Sequence, residues 1–262
     1  MREYDDDAPG FLHDNGREIA GREPSPQGYG PATEKLGVTV LVRTALSERT
    51  PRIDRMAPEP LEAAMFSMGC FKGSEARLGL IKGVWKTCVG YAGGVFPTPT
   101  YDDIRDHIET VRVEYDPQTV SYGQLLELFL CWYCTSPLDA APRRAPHIFV
   151  RSAKEHRLAQ AAVDRSILCG RGYPRARIVP FKTFYPAEAE YQKHYLRRVS
   201  WLFEELLALY GTEEDLLQST LAARLNAFLS LPVISPPRPL PEDIELYGLP
   251  PHALRELRHM GV

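Results

Sequence analysis

Apolar and polar positions through the middle of this chain follow periods that predict its elements. Ala63-Ala64-Met65-Phe66-Ser67-Met68 is an uncharged run of strand length, and Glu75-Ala76-Arg77-Leu78-Gly79-Leu80-Ile81 spaces its apolar residues helically. A strand therefore leads to Cys70 and a helix follows over 73–81. Strands are expected near 85–91, 109–115, 147–151 and 176–181, helices near 121–133 and 153–168, and a long loop runs through Tyr101. This alternation predicts an α+β sandwich in which helices cover one face of a mixed sheet. After Phe184 the pattern is helical through Leu209, Gly211 stops it, and a second helix is expected over 213–229 before Pro232, Pro236, Pro237, Pro239 and Pro241 break the chain. Residues 241–259 read as two short helical turns. Residues 1–60 scatter proline, glycine and charge, with strand character only over 38–42. The chain thus reads as a loosely structured N-terminal arm (1–60), a catalytic-sized domain (61–200), and a helical C-terminal extension (201–262) that caps the core or binds a partner.

Composition narrows the classes. The 262 residues are 44% hydrophobic, enough for one full core, and Lys plus Arg total 31 against 34 Asp plus Glu, a net charge of −3. No overall positive excess points to nucleic acid or an anionic membrane, and no apolar run has the length of a bilayer span. Five cysteines, an odd number, argue for a reducing compartment rather than a disulfide scaffold. The acidic start Glu3-Tyr4-Asp5-Asp6-Asp7 matches neither a secretory signal nor a transit peptide, so the expected location is cytoplasmic, with the nucleus as an alternative.

Cys70 stands at the turn between strand and helix. Backbone N–H groups and the positive helix end converge there and favour a thiolate, the nucleophilic form, although a single cysteine can equally be a small buried hydrophobe. Cys131-Trp132-Tyr133-Cys134 offers a redox pair, half a zinc site, or two small residues at a helix end. No second cysteine or histidine pair has zinc spacing, so no metal is expected.

Gly69-Cys70-Phe71-x-Gly73-x-Glu75, then Val89-Gly90-Tyr91-Ala92-Gly93-Gly94 and Pro97-Thr98-Pro99-Thr100-Tyr101, resemble the class A peptide methionine sulfoxide reductases. The resemblance continues through Asp106-His107-Ile108-Glu109-Thr110, Val113-Glu114-Tyr115-Asp116-Pro117 and Phe184-Tyr185-Pro186-Ala187-Glu188, covering residues 61–200. It implies a ferredoxin-like core and a methionine sulfoxide reductase-like domain. Cys70 would be the nucleophile and Glu109 the proton donor, with Tyr101 donating a hydrogen bond to the sulfoxide oxygen. Phe71 would wall the methyl pocket and His107 would lie at the substrate site. Of the Cys131–Cys134 pair, Cys134 or Cys131 is a candidate resolving thiol for Cys70, beside the reading of both as small packing residues.

The chain also departs from the family. Lys72 stands where the pocket's tryptophan is usual, and Asp139-Ala140-Ala141-Pro142-Arg143-Arg144-Ala145-Pro146 replaces a Gly-rich segment carrying an acid and a tyrosine, with Arg144 near the tyrosine's place. Tyr191 takes a usual histidine position, and Gln192 is kept. Loss of a tryptophan wall commonly costs ~2–4 kcal/mol of binding. The function implied is reduction of methionine-S-sulfoxide, free or in proteins, through a sulfenic acid on Cys70, without cofactor and with thioredoxin or glutathione/glutaredoxin as reductant. The alternative is a weakened or inactive homologue that serves as a binding or interaction protein.

Overall fold

The structure is a computed structural model and describes residues 50–134, 141–168, 176–230 and 240–260, apart from the side chains of Tyr133 and Cys134. The strand expected over 38–42, Asp139 and Cys169 lie outside the described residues, as does the whole of a first unit, residues 1–37. After a short helix α1 (Arg52–Arg55) come β1 (Glu62–Ser67), α2 (Phe71–Gly79), β2 (Val84–Ala92), β3 (Ile108–Tyr115), α3 (Tyr122–Cys134), β4 (His147–Val150), α4 (Ala153–Leu168), β5 (Arg177–Pro180) and β6 (Phe184–Pro186). The sheet order is β5-β4-β1-β3-β2-β6, with β4 and β5 parallel and the other pairs antiparallel. β1 through β4, with the helices between them, form the expected ferredoxin-like α+β core. β5 and β6 widen the sheet at its edges.

Strand alternation decides what faces the helices. Val111, Val113 and Tyr115 of β3 point into the core with Phe66, Phe71, Leu78, Leu125 and Phe129, so Glu109, two residues earlier, points the same way. Met65, Ala92 and Phe149 face the opposite side, under Phe181 and Phe184.

The single helix expected over 184–209 is broken. Its first residues pair with β2 as the edge strand β6, at a crossing where a Cβ on Gly90 would lie 2.3 Å from the Tyr185 carbonyl. A 3-10 turn (Ala189–Tyr191) follows, and Lys193, left-handed at φ 51°, precedes α5 (His194–Arg197) and α6 (Ser200–Tyr210). The helix expected over 213–229 is likewise two, α7 (Glu213–Leu217) and α8 (Thr220–Leu229), because Ser219 caps α8 by accepting the Ala222 N–H at 2.9 Å. After a 3-10 turn (Ile244–Tyr247) the chain ends in α9 (Pro251–Met260). These helices bury a second core of Leu202, Leu206, Leu216, Leu221, Leu225 and Leu257. Residues 50–60, read from sequence as the end of a loose arm, contribute to it. Ile53 is buried there, and the Asp54 carboxylate accepts the N–H groups of Thr220 (2.7 Å) and Leu221 (3.2 Å) and the Tyr210 hydroxyl.

The two cores meet at α2. A Cβ on Gly79 would stand 3.1 Å from the Ala223 carbonyl, so glycine lets α2 and α8 cross closely. Beside that crossing Lys193 Nζ donates to Glu75 Oε1 at 2.6 Å and to the Thr87 carbonyl at 2.6 Å, with neither charged side chain exposed. Glu75 also accepts the Thr87 hydroxyl, the Lys193 N–H and the Asn226 amide. Replacing Lys193 with Met strands a carboxylate in the interior and is expected to lower unfolding stability by ~3–5 kcal/mol, read from the urea midpoint. A loss below about 1 kcal/mol would show that water reaches Glu75.

Candidate active site

Gly69, at φ 94°, turns the chain out of β1, and Cys70 is the N-cap of α2 in extended conformation (φ −63°, ψ 121°). The Ser74 hydroxyl lies within hydrogen-bond reach of the Cys70 carbonyl (3.0 Å) and the Met68 carbonyl (3.2 Å), tying the turn to the helix. The thiol is half-buried. The next N–H, that of Phe71, donates to Glu109 Oε2 at 3.0 Å. Glu109 on β3 and Cys70 at the head of α2 are thereby joined through one peptide group.

Glu109 is fully buried, and its other oxygen, Oε1, accepts Nε of Arg143 (2.7 Å) and Nε of Arg144 (3.1 Å) from the 3-10 turn Pro142–Arg144. Burial works against the charge of both guanidiniums, but hydrogen bonding and attraction to Glu109 outweigh it and raise their pKa values above the ordinary arginine value. Every group bonded to Glu109 is a donor without acceptor capacity. The resemblance gives this residue a proton to donate; in the structure its two oxygens accept donors from the head of α2 and from the 3-10 turn and so hold these two segments together.

Tyr101 ends the long loop. Its N–H donates to Glu188 Oε1 (2.9 Å), and Glu188 Oε2 accepts the Tyr91 hydroxyl (2.7 Å). Burial opposes charge on Glu188, but the N–H groups of Glu188 and Tyr101 and the Tyr91 phenol outweigh it, so its pKa lies below the ordinary range. The Tyr101 ring stacks on Tyr191 at 4.2 Å and lies 5.9 Å from Phe71, centroid to centroid. Phe71, expected as a pocket wall, is fully buried beneath Tyr91, Tyr101 and Tyr191 and forms the floor. Cations cover the tyrosines: Lys72 Nζ sits 5.4 Å from the Tyr101 centroid and 5.2 Å from that of Tyr191, and the Arg143 guanidinium carbon 4.4 Å from Tyr101. Lys72 has no carboxylate partner among the described residues.

His107, expected at the substrate, is buried with both ring nitrogens spent on the loop. Nδ1 accepts the Gly94 N–H (3.3 Å) and Nε2 faces the Phe96 carbonyl (2.7 Å). Its ring also meets Tyr185 edge-on, so it shapes the loop that delivers Tyr101. Cys131 is exposed on α3, and the Cys134 side chain lies outside the described residues. Burial raises the Cys88 thiol to about 11, which suits a packing residue.

The family model for peptide methionine sulfoxide reductase matches residues 62–208, more than half of the chain and including every residue of this constellation. The chain belongs to the peptide methionine sulfoxide reductase family. It is 41% identical over 183 residues to peptide methionine sulfoxide reductase A5 of Oryza sativa subsp. japonica, covering 64% of this chain and 67% of the rice protein. The A5 protein of Arabidopsis thaliana is 37% identical over 187 residues (68% and 71%). Among solved structures, methionine sulfoxide reductase A of Corynebacterium diphtheriae aligns with a TM-score of 0.45 at 24% identity, covering 54% of this chain and 76% of that one. As a member of this family the chain is an oxidoreductase acting on methionine sulfoxide. No described helix is long and apolar enough to cross a membrane, and no group of three or more His, Cys, Asp or Glu among the described residues could hold a metal ion.

Sequence reasoning assigned no role to Arg143, Glu188 or Tyr191. Glu188 carried a signal, since it closes the Phe184-Tyr185-Pro186-Ala187-Glu188 motif. Arg143 carried none, because only closure of the sheet brings it to a residue 34 positions earlier. Glu109→Gln keeps the shape but offers one neutral acceptor to two guanidiniums, with its amide pointed at another donor. A stability loss of roughly 2–3 kcal/mol is expected from the urea midpoint, and a value near zero would mean that the arginines do not lean on this carboxylate.

Proposed function

We propose that the protein reduces methionine-S-sulfoxide with Cys70 as nucleophile. The observation that carries this reading is the convergence of the half-buried Cys70, Glu109 and Tyr101, three residues from three elements, joined by the Phe71 N–H bond to Glu109 and by Arg143, which reaches both Glu109 and the Tyr101 carbonyl (3.2 Å). The thiolate attacks the sulfoxide sulfur, and the oxygen passes to Sγ while the substrate's S–O bond breaks. Cys70 is oxidised by two electrons to a sulfenic acid, and the sulfoxide is reduced to the thioether methionine. The added proton comes from the Tyr101 hydroxyl, which has no partner among the described residues, and is replaced from water. Glu109 acts as a fixed anion that positions the head of α2 and the two guanidiniums. A second thiol then attacks the sulfenic sulfur, releasing water and forming a disulfide, and two further thiol equivalents reduce that disulfide by exchange, leaving as their own disulfide. The exposed Cys131, Cys134, thioredoxin, or glutathione with glutaredoxin could supply these thiols. The substrate is oxidised methionine, free or in proteins, and no bound cofactor is required. Residues 201–262 serve in this reading as a cap on the catalytic domain.

One observation favours a second reading, a weakened or inactive homologue that binds a partner. Lys72 and Arg143 lie over the aromatic faces that a methyl group would need, and Phe71 is closed off below.

Cys70→Ser should abolish reduction of the S epimer in a dithiothreitol- or thioredoxin-driven assay, because a hydroxyl lacks the thiolate's nucleophilicity. Wild-type rates in that mutant would remove Cys70 from the chemistry, and a wild type inactive with every reductant would favour the second reading. Lys72→Trp should replace a cation over Tyr101 and Tyr191 by an apolar wall and raise kcat/KM on small sulfoxides by ~10-fold, equivalent to about 1.4 kcal/mol. A lower kcat/KM would show that the ammonium assists catalysis.

A further inference from the structure

The two arginines on Glu109 are not equivalent. Arg143 spends Nε on Glu109 Oε1 and Nη1 on the Tyr101 carbonyl, and its plane covers the Tyr101 ring. It is built into the wall. Arg144 spends Nε on the same oxygen at 3.1 Å and nothing else. Its terminal nitrogens have no hydrogen-bond partner among the described residues, and its side chain is 35% exposed. A guanidinium anchored by Nε alone keeps its terminal N–H groups as an unused fork of donors.

The anchor of the fork is tied through Glu109 to the residue that follows the nucleophile. Arg144 and the Phe71 N–H occupy the two oxygens of one carboxylate, and Phe71 directly follows Cys70. The chemistry needs a donor here, because negative charge builds on the sulfoxide oxygen as Sγ attacks sulfur. Of the neighbouring hydroxyls, that of Tyr91 is committed to Glu188. Among the described residues, the donors still unspent on this face are the Tyr101 and Tyr191 hydroxyls, the Lys72 ammonium over the tyrosine faces, and the Arg144 fork, of which only the fork offers paired N–H groups on a fixed charge.

Resting on the reductase reading above, we propose that Arg144 is a catalytic residue of this protein, its terminal nitrogens binding the sulfoxide oxygen and stabilising the charge that develops there. Glu109 is its positioning residue, fixing Nε and neutralising one of two adjacent positive charges so that one remains for the oxygen. Arg144 transfers no proton. The balance of the step is unchanged: thiolate plus sulfoxide plus one proton gives sulfenic acid plus thioether, the proton coming from Tyr101 and being replaced there from water.

The test is single-turnover reduction of methionine-S-sulfoxide by the reduced full-length protein, quantifying methionine formed per Cys70. Arg144→Ala should slow this step by about 100-fold, the usual loss for one charge-stabilising donor, while iodoacetamide still labels Cys70 and the urea midpoint stays near wild type. Millimolar guanidinium chloride, far below denaturing concentrations, should restore the rate severalfold in Arg144→Ala. It should not do so in Arg143→Ala, whose loss would come from a displaced Tyr101. Arg144→Lys, which keeps the charge without the fork, should fall between wild type and Arg144→Ala. An Arg144→Ala rate close to wild type would overturn the inference, as would a loss that guanidinium does not relieve. Both results leave Cys70 chemistry standing if the wild type turns over. An inactive wild type with a normally labelled Cys70 would instead overturn the reductase reading and this inference with it.

Discussion

The buried pair between Glu75 and Lys193 is the contact on which the remaining architecture depends. Two charges removed from water cost several kcal/mol each unless their geometry is satisfied, and here Glu75 accepts four groups while the Lys193 ammonium donates to Glu75 and to the Thr87 carbonyl. Glu75 lies one turn after the Cys70 cap, Thr87 lies on β2, Lys193 lies on the returning chain after β6, and Asn226 lies on α8. The pair therefore sets the seat of α2 on the sheet. It also holds Lys193 in its left-handed conformation and fixes where the helical extension docks. Neighbouring Gln192 adds a second tie by accepting the Val89 N–H (2.9 Å) and donating to the Val89 carbonyl (2.8 Å).

Carboxylates serve the site in the same manner. Glu109 gathers the head of α2 and the turn before β4. Glu188 gathers Tyr101 and Tyr91. Each uses an anion's capacity for several acceptor bonds to fix backbone or cationic groups from segments far apart in sequence. The consequence is an aromatic floor of Phe71, Tyr101 and Tyr191 overlain by Lys72 and Arg143, with Arg144 at its edge. That surface is more cationic than an all-aromatic methyl pocket, so gains in charge stabilisation are set against losses in apolar contact.

Membership of the family and the constellation around Cys70 are compatible with the departures seen at Lys72, Arg143 and Arg144 because the chemistry asks for functions rather than particular residues. In the proposed reading Cys70 supplies the nucleophile, and the donor toward oxygen and the surface for the methyl group come from unusual side chains. The extension is no loose appendage either. Its helices bury a core of their own that takes in Ile53, and α8 crosses closely against α2 at Gly79.

What the sequence determined alone is what short-range periods can carry. The strand, turn and helix around Cys70, the order of β1 through β5, and the alternation that points Glu109 inward with Val111 and Val113 all follow from spacings of two to four residues. The helix break at Lys193, the docking of Ile53 and Asp54, and the partners of Glu109 were decided by the tertiary structure. Their causes lie far away in the chain: Arg143 is 34 residues from Glu109, Asn226 is 151 from Glu75, and Thr220 is 166 from Asp54. A buried polar group must find a partner wherever packing brings one, and a local pattern holds no record of which distant segment that will be.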